Sequence, residues 1–159
     1  MGPIYPGRYT AQLEGDFVVF LIGMRVNLLL LVHKWLPVVR AMPRMLKELF
    51  SHPEMGLLHA QTFMSGRTIM LFQHWRTFEQ LHAYAHAKDL QHLPAWADFN
   101  RKVGGNGSVG VFHETYLVEA GRYECVYVNM PKFGLGKAGE KIPAIGRMQH
   151  AKSRLGATH

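Results

Sequence analysis

Hydrophobic residues are laid along this chain in two rhythms. From Phe17 to Val26 nearly every position is apolar, with β-branched and aromatic side chains and one glycine, Gly23, that allows a bulge or a close approach. That density predicts a strand hidden on both faces. From Leu36 to Phe50 the rhythm changes: Met42, Met45, Leu46, Leu49 and Phe50 recur at three-to-four spacing, which predicts a helix. Pro37 suits its first turn, and Pro43 predicts a kink or a broken start. Met55 to Met64 and Arg67 to Trp75 read as two strands joined at Ser65-Gly66, a two-residue hairpin signal. Thr77, with Gln80 three residues on, opens a second helix in a capping-box pattern. Its stripe runs through Leu81, Tyr84, Ala85, Leu90, Trp96, Ala97 and Phe99, split near Pro94. Gly104-Gly105-Asn106-Gly107 stops it, and Val109 to Val118 and Arg122 to Met130 read as two further strands.

The order is βαββαβ with one extra strand. This predicts an α+β fold of ferredoxin-like type, two helices on one face of an antiparallel sheet. The domain spans residues 17–131. Residues 1–16, with Gly2, Pro3, Pro6, Gly7 and Gly15, read as an irregular N-terminal arm, and residues 132–159 as a basic, Gly-rich tail or lid. Phe17 to Val26 and Thr68 to Phe72 are apolar on both faces, so the face without helices needs a cover. A second copy of the chain would supply it as a two-fold, dimeric α+β barrel. The tail folding back is the alternative.

Composition narrows the class. In 159 residues, 48% are hydrophobic and 18% charged, a globular balance rather than a disordered one. The single cysteine, Cys125, excludes an internal disulfide framework and any CxxC motif, and fits a reducing, cytoplasmic setting. The formal charge is +7, but from Lys132 onward six Lys or Arg face one acid, Glu140, so the body is close to neutral. Basic residues in a Gly-rich tail with one aromatic, Phe133, argue against nucleic-acid binding. Arg25 and Asn27 interrupt the apolar run at residues 17–32, which argues against a membrane span and against a membrane as partner, and no positive n-region of a signal peptide precedes it. GLGKAG in the tail is not a phosphate-binding loop.

Several segments resemble a known family. His74-Trp75-Arg76-Thr77-Phe78-Glu79-Gln80-Leu81-His82-Ala83-Tyr84-Ala85, followed by His92 and Ala95-Trp96, is similar to the strand-to-helix segment of dimeric α+β barrel monooxygenases, which include antibiotic-biosynthesis and haem-degrading enzymes. Val32-His33-Lys34-Trp35, Val111-Phe112-His113-Glu114-Thr115-Tyr116 and Asn129-Met130-Pro131 resemble a nearer, little-characterised bacterial group labelled monooxygenase-like. That label speaks more to shape than to reaction. The resemblance implies a homodimer with a small-molecule pocket. It also implies that haem, if used, is held by a histidine at the end of the second helix. His92 matches as the iron ligand, with His86 and His33 as further cofactor candidates and Asn27 facing the haem from the first strand. Use of no cofactor is equally open: cofactor-free relatives activate an electron-rich substrate in an aromatic pocket, a role that suits Asn27, Trp35, His74 and Trp75.

Ten histidines are the chain's most unusual feature. His82 and His86, at i and i+4, share a helical face. Two such ligands do not make a metal site without a third, and a solvated helix face reads as well. His113 and Glu114 point to opposite faces of one strand. Glu114, set between Phe112 and Tyr116, must be paired or protonated if buried, with Arg25 or Arg67 as its partner or with a raised pKa that serves acid–base catalysis. His33, Trp35, His74 and Trp75 lie at strand ends, where pockets open in this fold. The candidate catalytic residues are therefore Asn27, His74, His113 and Glu114, and the candidate substrate contacts Trp35, Trp75, Trp96 and Tyr116. The expected activity is a monooxygenase-like oxidation of a small apolar or aromatic molecule in a pocket between sheet and helices, with a haem-dependent oxygenase, dehydratase or lyase as variants. The alternative is a non-catalytic haem or small-ligand binding protein for storage or sensing.

Overall fold

The computed structural model describes residues 2–87, 97, 101, 105 and 107–155. In chain order the strands are β1 Tyr5–Gln12, β2 Phe17–Val26, β3 Leu57–Ser65, β4 Thr68–Trp75, β5 Val109–Val118, β6 Tyr127–Met130 and β7 Glu140–Pro143. Helix α1, Val32–Ser51, joins β2 to β3, and α2, Phe78–His86, follows β4. One antiparallel sheet has the order β3-β4-β2-β5, which is the ferredoxin-like arrangement expected from the βαββαβ pattern. The β3–β4 hairpin pairs Ser65 with Thr68 across Gly66-Arg67, and Gly66 takes a positive φ of 54°.

Register sorts this sheet into two faces, because residues directly opposed in an antiparallel ladder point the same way. Val18 opposes Trp75, and Val19 opposes His74. Trp75 therefore joins Val18, Leu49, Leu57, Leu81 and Tyr84 in a core beneath the helices. Met24, Val26 and Val109 form a second cluster under Trp35, Val38, Val39 and Met42 of α1. Helix α1 runs unbroken through Pro37 and Pro43, so the expected broken start is corrected. Each proline deletes one backbone bond. The packed stripe from Trp35 to Leu49 spans both positions and holds the helix on the sheet. Thr77 caps α2 as its pattern requires, accepting from the Gln80 amide at 3.1 Å. The Gln80 side chain turns instead to the Glu54 carbonyl at 3.0 Å.

The termini build a second sheet, in the order β6-β1-β7. Residues 5–12 are thus a central strand, and the expected irregular arm is corrected. The Pro6-Gly7 signal marks a bulge: the β1–β6 register shifts between Tyr5 and Arg8, and Gly7 has a φ of 83°. Tyr9, Thr10 and Ala11 beyond it are buried. The strand expected over Arg122 to Met130 is shorter, Tyr127–Met130, and belongs to this second sheet. The tail is folded rather than loose, through a short helix at Leu135–Ala138, then β7, and a last turn at Ala151–Arg154. Arg154 anchors it, donating to Glu124 and to the carbonyls of Met148 and Gln149. Gly139 admits no larger residue, because a Cβ there would collide with the Gln12 carbonyl oxygen. Among the described residues no helix is long and apolar enough to cross a membrane.

Candidate functional site

The face of the four-stranded sheet away from α1 and α2 carries an unexpected interior. His59 on β3 opposes His74 on β4, with ring centroids 6.2 Å apart and planes 17° from parallel. His74 is 1% exposed and His59 7%. Phe72 meets the His74 ring edge-on at 4.7 Å, and Phe17 lies 6.2 Å away. The second sheet and the short Leu135–Ala138 helix close over this group. Phe133 touches Phe63, Tyr123 stands edge-on to Phe17 at 5.0 Å, and Gly134 lies against Phe72 and Tyr127. The tail therefore covers the half of this face at β3 and β4, as the alternative to a partner chain required.

Within this aromatic box His74 Nδ1 lacks a hydrogen-bond partner, while His59 Nε2 and Gln61 Oε1 lack one of good geometry although the two side chains interact. Buried polar atoms are nearly always partnered, so unpartnered ones mark a place where a ligand or water belongs. Burial, with a smaller contribution from His59, pushes the His74 imidazolium down to about 4. His59 is lowered too, first by burial and then by the Lys137 cation on the short helix. Both rings are neutral at pH 7. Each can accept a proton on one nitrogen while its position is held by packing.

The structure separates the other candidates instead of gathering them. His74 and Trp75 point to opposite faces. Trp75 is core, its indole N–H donating to Gln73 Oε1 at 2.7 Å. Trp35 is half-buried helix-side packing, donating to the Leu29 carbonyl at 3.0 Å. Asn27 spends its side-chain amide on the Gly107 carbonyl at 3.0 Å and is exposed, so it braces a turn. His113 lies on the helix-side face of β5, exposed, its ring 5.9 Å from Phe20. Glu114 is exposed and accepts the Tyr116 hydroxyl at 2.5 Å, which corrects the expected buried pair with Arg25 or Arg67. β5 is an edge strand, so water reaches Glu114, and the hydrogen bond raises the Tyr116 pKa. His92 and Trp96 lie outside the described residues.

The haem candidates can be tested against this geometry. A haem ligand needs a neutral imidazole with a free nitrogen in an apolar slot wide enough for the macrocycle. His33 is exposed in the first turn of α1. His86 is exposed, stacked on His82 at 4.1 Å, with Nδ1 donating to the His82 carbonyl at 2.9 Å. Neither fits. His59 and His74 are buried beneath the Leu135–Ala138 segment. Among the described residues no three His, Cys, Asp or Glu side chains converge to hold a metal ion. The sequence pattern does not single out His59, because its significance comes from register. The local signal is that polar residues recur at every second position, His59 and Gln61, on one face of β3.

Known proteins agree with this architecture. The chain is 29% identical over 164 residues to monooxygenase af470 of Aspergillus fumigatus, an alignment covering 89% of this chain and 58% of that protein. It therefore spans less than two-thirds of that relative's length. It superposes on an aldoxime dehydratase solved in complex with butyraldoxime with a TM-score of 0.66 and 15% identity, over 82% of this chain and 39% of that one, a likeness of fold alone. SnoaB, a cofactor-independent oxygenase from Streptomyces nogalater, overlaps 64% of this chain and 91% of its own at 10% identity, but a TM-score of 0.46 carries no argument. Residues 17–135, well over half of the chain and including β2 to β5 with His59 and His74, match the profile described as Monooxygenase af470-like, and the chain belongs to that family.

Proposed function

We propose that this chain is an oxygenase-type catalytic unit that binds a small, apolar, hydroxylated aromatic molecule against His74, beneath a lid formed by the Leu135–Ala138 helix. One observation carries the reading: a buried imidazole, His74, with an unpartnered nitrogen beside a second buried imidazole, His59, inside an aromatic box. Gly134 and Gly139 bracket the lid, and Lys137 rides on it as a positive charge for an anionic substrate. His74 takes a proton from an activated C–H or O–H of the substrate. The resulting anion passes an electron to dioxygen, and recombination forms a carbon–oxygen bond as a hydroperoxide. Loss of water then leaves a carbonyl. The net change is a CH₂ group plus O₂ giving C=O plus H₂O, with both electron pairs drawn from the two C–H bonds. His74 gives its first proton to the peroxide, then takes the second C–H proton as the O–O bond breaks and passes it to the departing hydroxide.

The part of this face left half-buried or exposed, around Val19, Leu21, Phe112 and Tyr116, is read as the seat of a second copy of the chain. A homodimer would seal the box from the β5 side, and sedimentation of a monomer at micromolar concentration would remove that element of the proposal. A haem-using variant rests on His92 alone. A Soret band in protein from cells fed a haem precursor, lost in His92→Ala, would favour it over cofactor-free oxygenation at His74.

The direct test is oxygen uptake with a panel of small hydroxylated bicyclic and tricyclic aromatics. Turnover of at least one, reduced on the order of 10²-fold or more in His74→Gln while binding persists, is the expected result. Binding of the panel without oxygen uptake would leave the non-catalytic, ligand-holding alternative in its place.

A further inference from the structure

One end of the molecule combines two features that the proposed chemistry does not use. The turn from β2 into α1 reads Asn27-Leu28-Leu29-Leu30-Leu31-Val32, and Leu28, Leu29, Leu30 and Val32 are exposed, Leu30 to 95%. Met64, beside the β3–β4 turn at the same end of the sheet, is 74% exposed. Single exposed apolar residues need no explanation, but a contiguous cluster of this kind marks a contact surface.

The leucine turn is held in shape. The amides of Asn27 and Leu28 donate to the Ser108 carbonyl at 3.0 and 3.2 Å, and the Leu31 amide closes a turn onto the Leu28 carbonyl at 3.2 Å. The Trp35 indole holds the Leu29 carbonyl, and an Arg67 N–H reaches the Asn27 carbonyl at 3.3 Å. The backbone is therefore satisfied by its own neighbours, and the leucine side chains are what remains to be covered.

Charge completes the pattern. Between Asp16 and Glu48 the sequence has no acid, while Arg25, Lys34, Arg40, Arg44 and Lys47 fall in that interval. Between Glu54 and Glu79 there is again none, and Arg67 stands in the hairpin turn next to the leucines. Arg25 and Arg67 are exposed beside the apolar tip, and α1 begins there with no acid in its first turn. A braced apolar tip ringed by cations complements a surface that is negative outside and apolar a few ångströms in, which is the headgroup boundary of an anionic bilayer.

We infer that this end of the molecule docks on anionic lipid, inserting Leu29 and Leu30 below the headgroups while Arg25 and Arg67 meet phosphates. This is attachment to a membrane surface and involves no span. A site that handles apolar aromatic molecules gains from such a station, since its substrates concentrate in the bilayer, but the docking stands whether or not the oxygenase reading does.

The test is co-sedimentation of the full 159-residue chain with vesicles of phosphatidylcholine alone or mixed with phosphatidylserine. The wild type is expected to pellet with the mixed vesicles and to be released as salt rises. Leu29→Ser with Leu30→Ser is expected to weaken binding by roughly tenfold or more, because each exposed leucine contributes through its own burial. Arg25→Gln should weaken it about fivefold. Circular dichroism confirms that these exposed changes leave the fold intact. Equal pelleting of wild type and double-serine variant would overturn the inference. So would equal binding to pure phosphatidylcholine, or a wild-type dimer that the double-serine change dissolves, since the tip would then be an interface between copies.

Discussion

His74 is visible from sequence as a histidine at a strand end beside a tryptophan, but its surroundings are not. Adjacent strand residues face opposite ways, so the pair His74-Trp75 divides between two compartments, and pattern alone does not say which is core. The structure assigns Trp75 to the helix-side core and His74 to the box beneath the tail. That placement makes stability depend on pH. An unfolded histidine titrates near 6.5 and folded His74 near 4, so between those values the unfolded chain binds more protons. The contribution is fully present above about pH 6.5, is lost as pH falls through that window, and is flat below pH 4. It amounts to about 3 kcal/mol for this group. Urea unfolding of wild type and His74→Phe across that range should show the wild type losing stability more steeply by roughly this amount. Parallel curves would mean that His74 is not held neutral by its surroundings.

At the scale of elements, strands with dense β-branched and aromatic runs are legible almost to the residue. The pattern predicts a strand from Val109 to Val118, and β5 occupies Val109–Val118. What sequence does not supply is partnership between distant segments. β1 looks irregular because its proline and glycines cluster at the bulge, and its reason for being a strand is hydrogen bonding to segments more than a hundred residues away. Gly23 shows the same dependence on context. Its place in the run permits a bulge or a close approach, and the approach is real: a Cβ there would lie 2.6 Å from the Ile69 carbonyl oxygen and from the Phe112 ring. Gly23→Ala is expected to cost about 1–3 kcal/mol by forcing backbone or ring apart. Gly110→Ala, on the neighbouring strand with nothing nearer than 3.7 Å, should stay within about 0.5 kcal/mol. Thermal melts of the two variants side by side distinguish a close-packed contact from a general glycine effect.

For the whole molecule, the ferredoxin-like order and the need to cover the sheet's second face are both derivable, because strands apolar on both sides must be covered. The identity of the cover is not, since a partner chain and the tail satisfy the same hydrophobic demand. The tail takes the β3–β4 half through Phe133, Gly134 and the Leu135–Ala138 helix, and in doing so it buries His59 and His74. Everything proposed about chemistry depends on His74 being neutral and sealed there with a nitrogen to spare. Imidazole ¹⁵N NMR of the histidine-labelled chain, titrated from pH 8 to pH 4, tests that directly. The account predicts that the His74 ring stays a neutral tautomer throughout physiological pH and begins to protonate only near pH 4. A His74 signal that titrates near 6.5, as an open, hydrated histidine would, contradicts it.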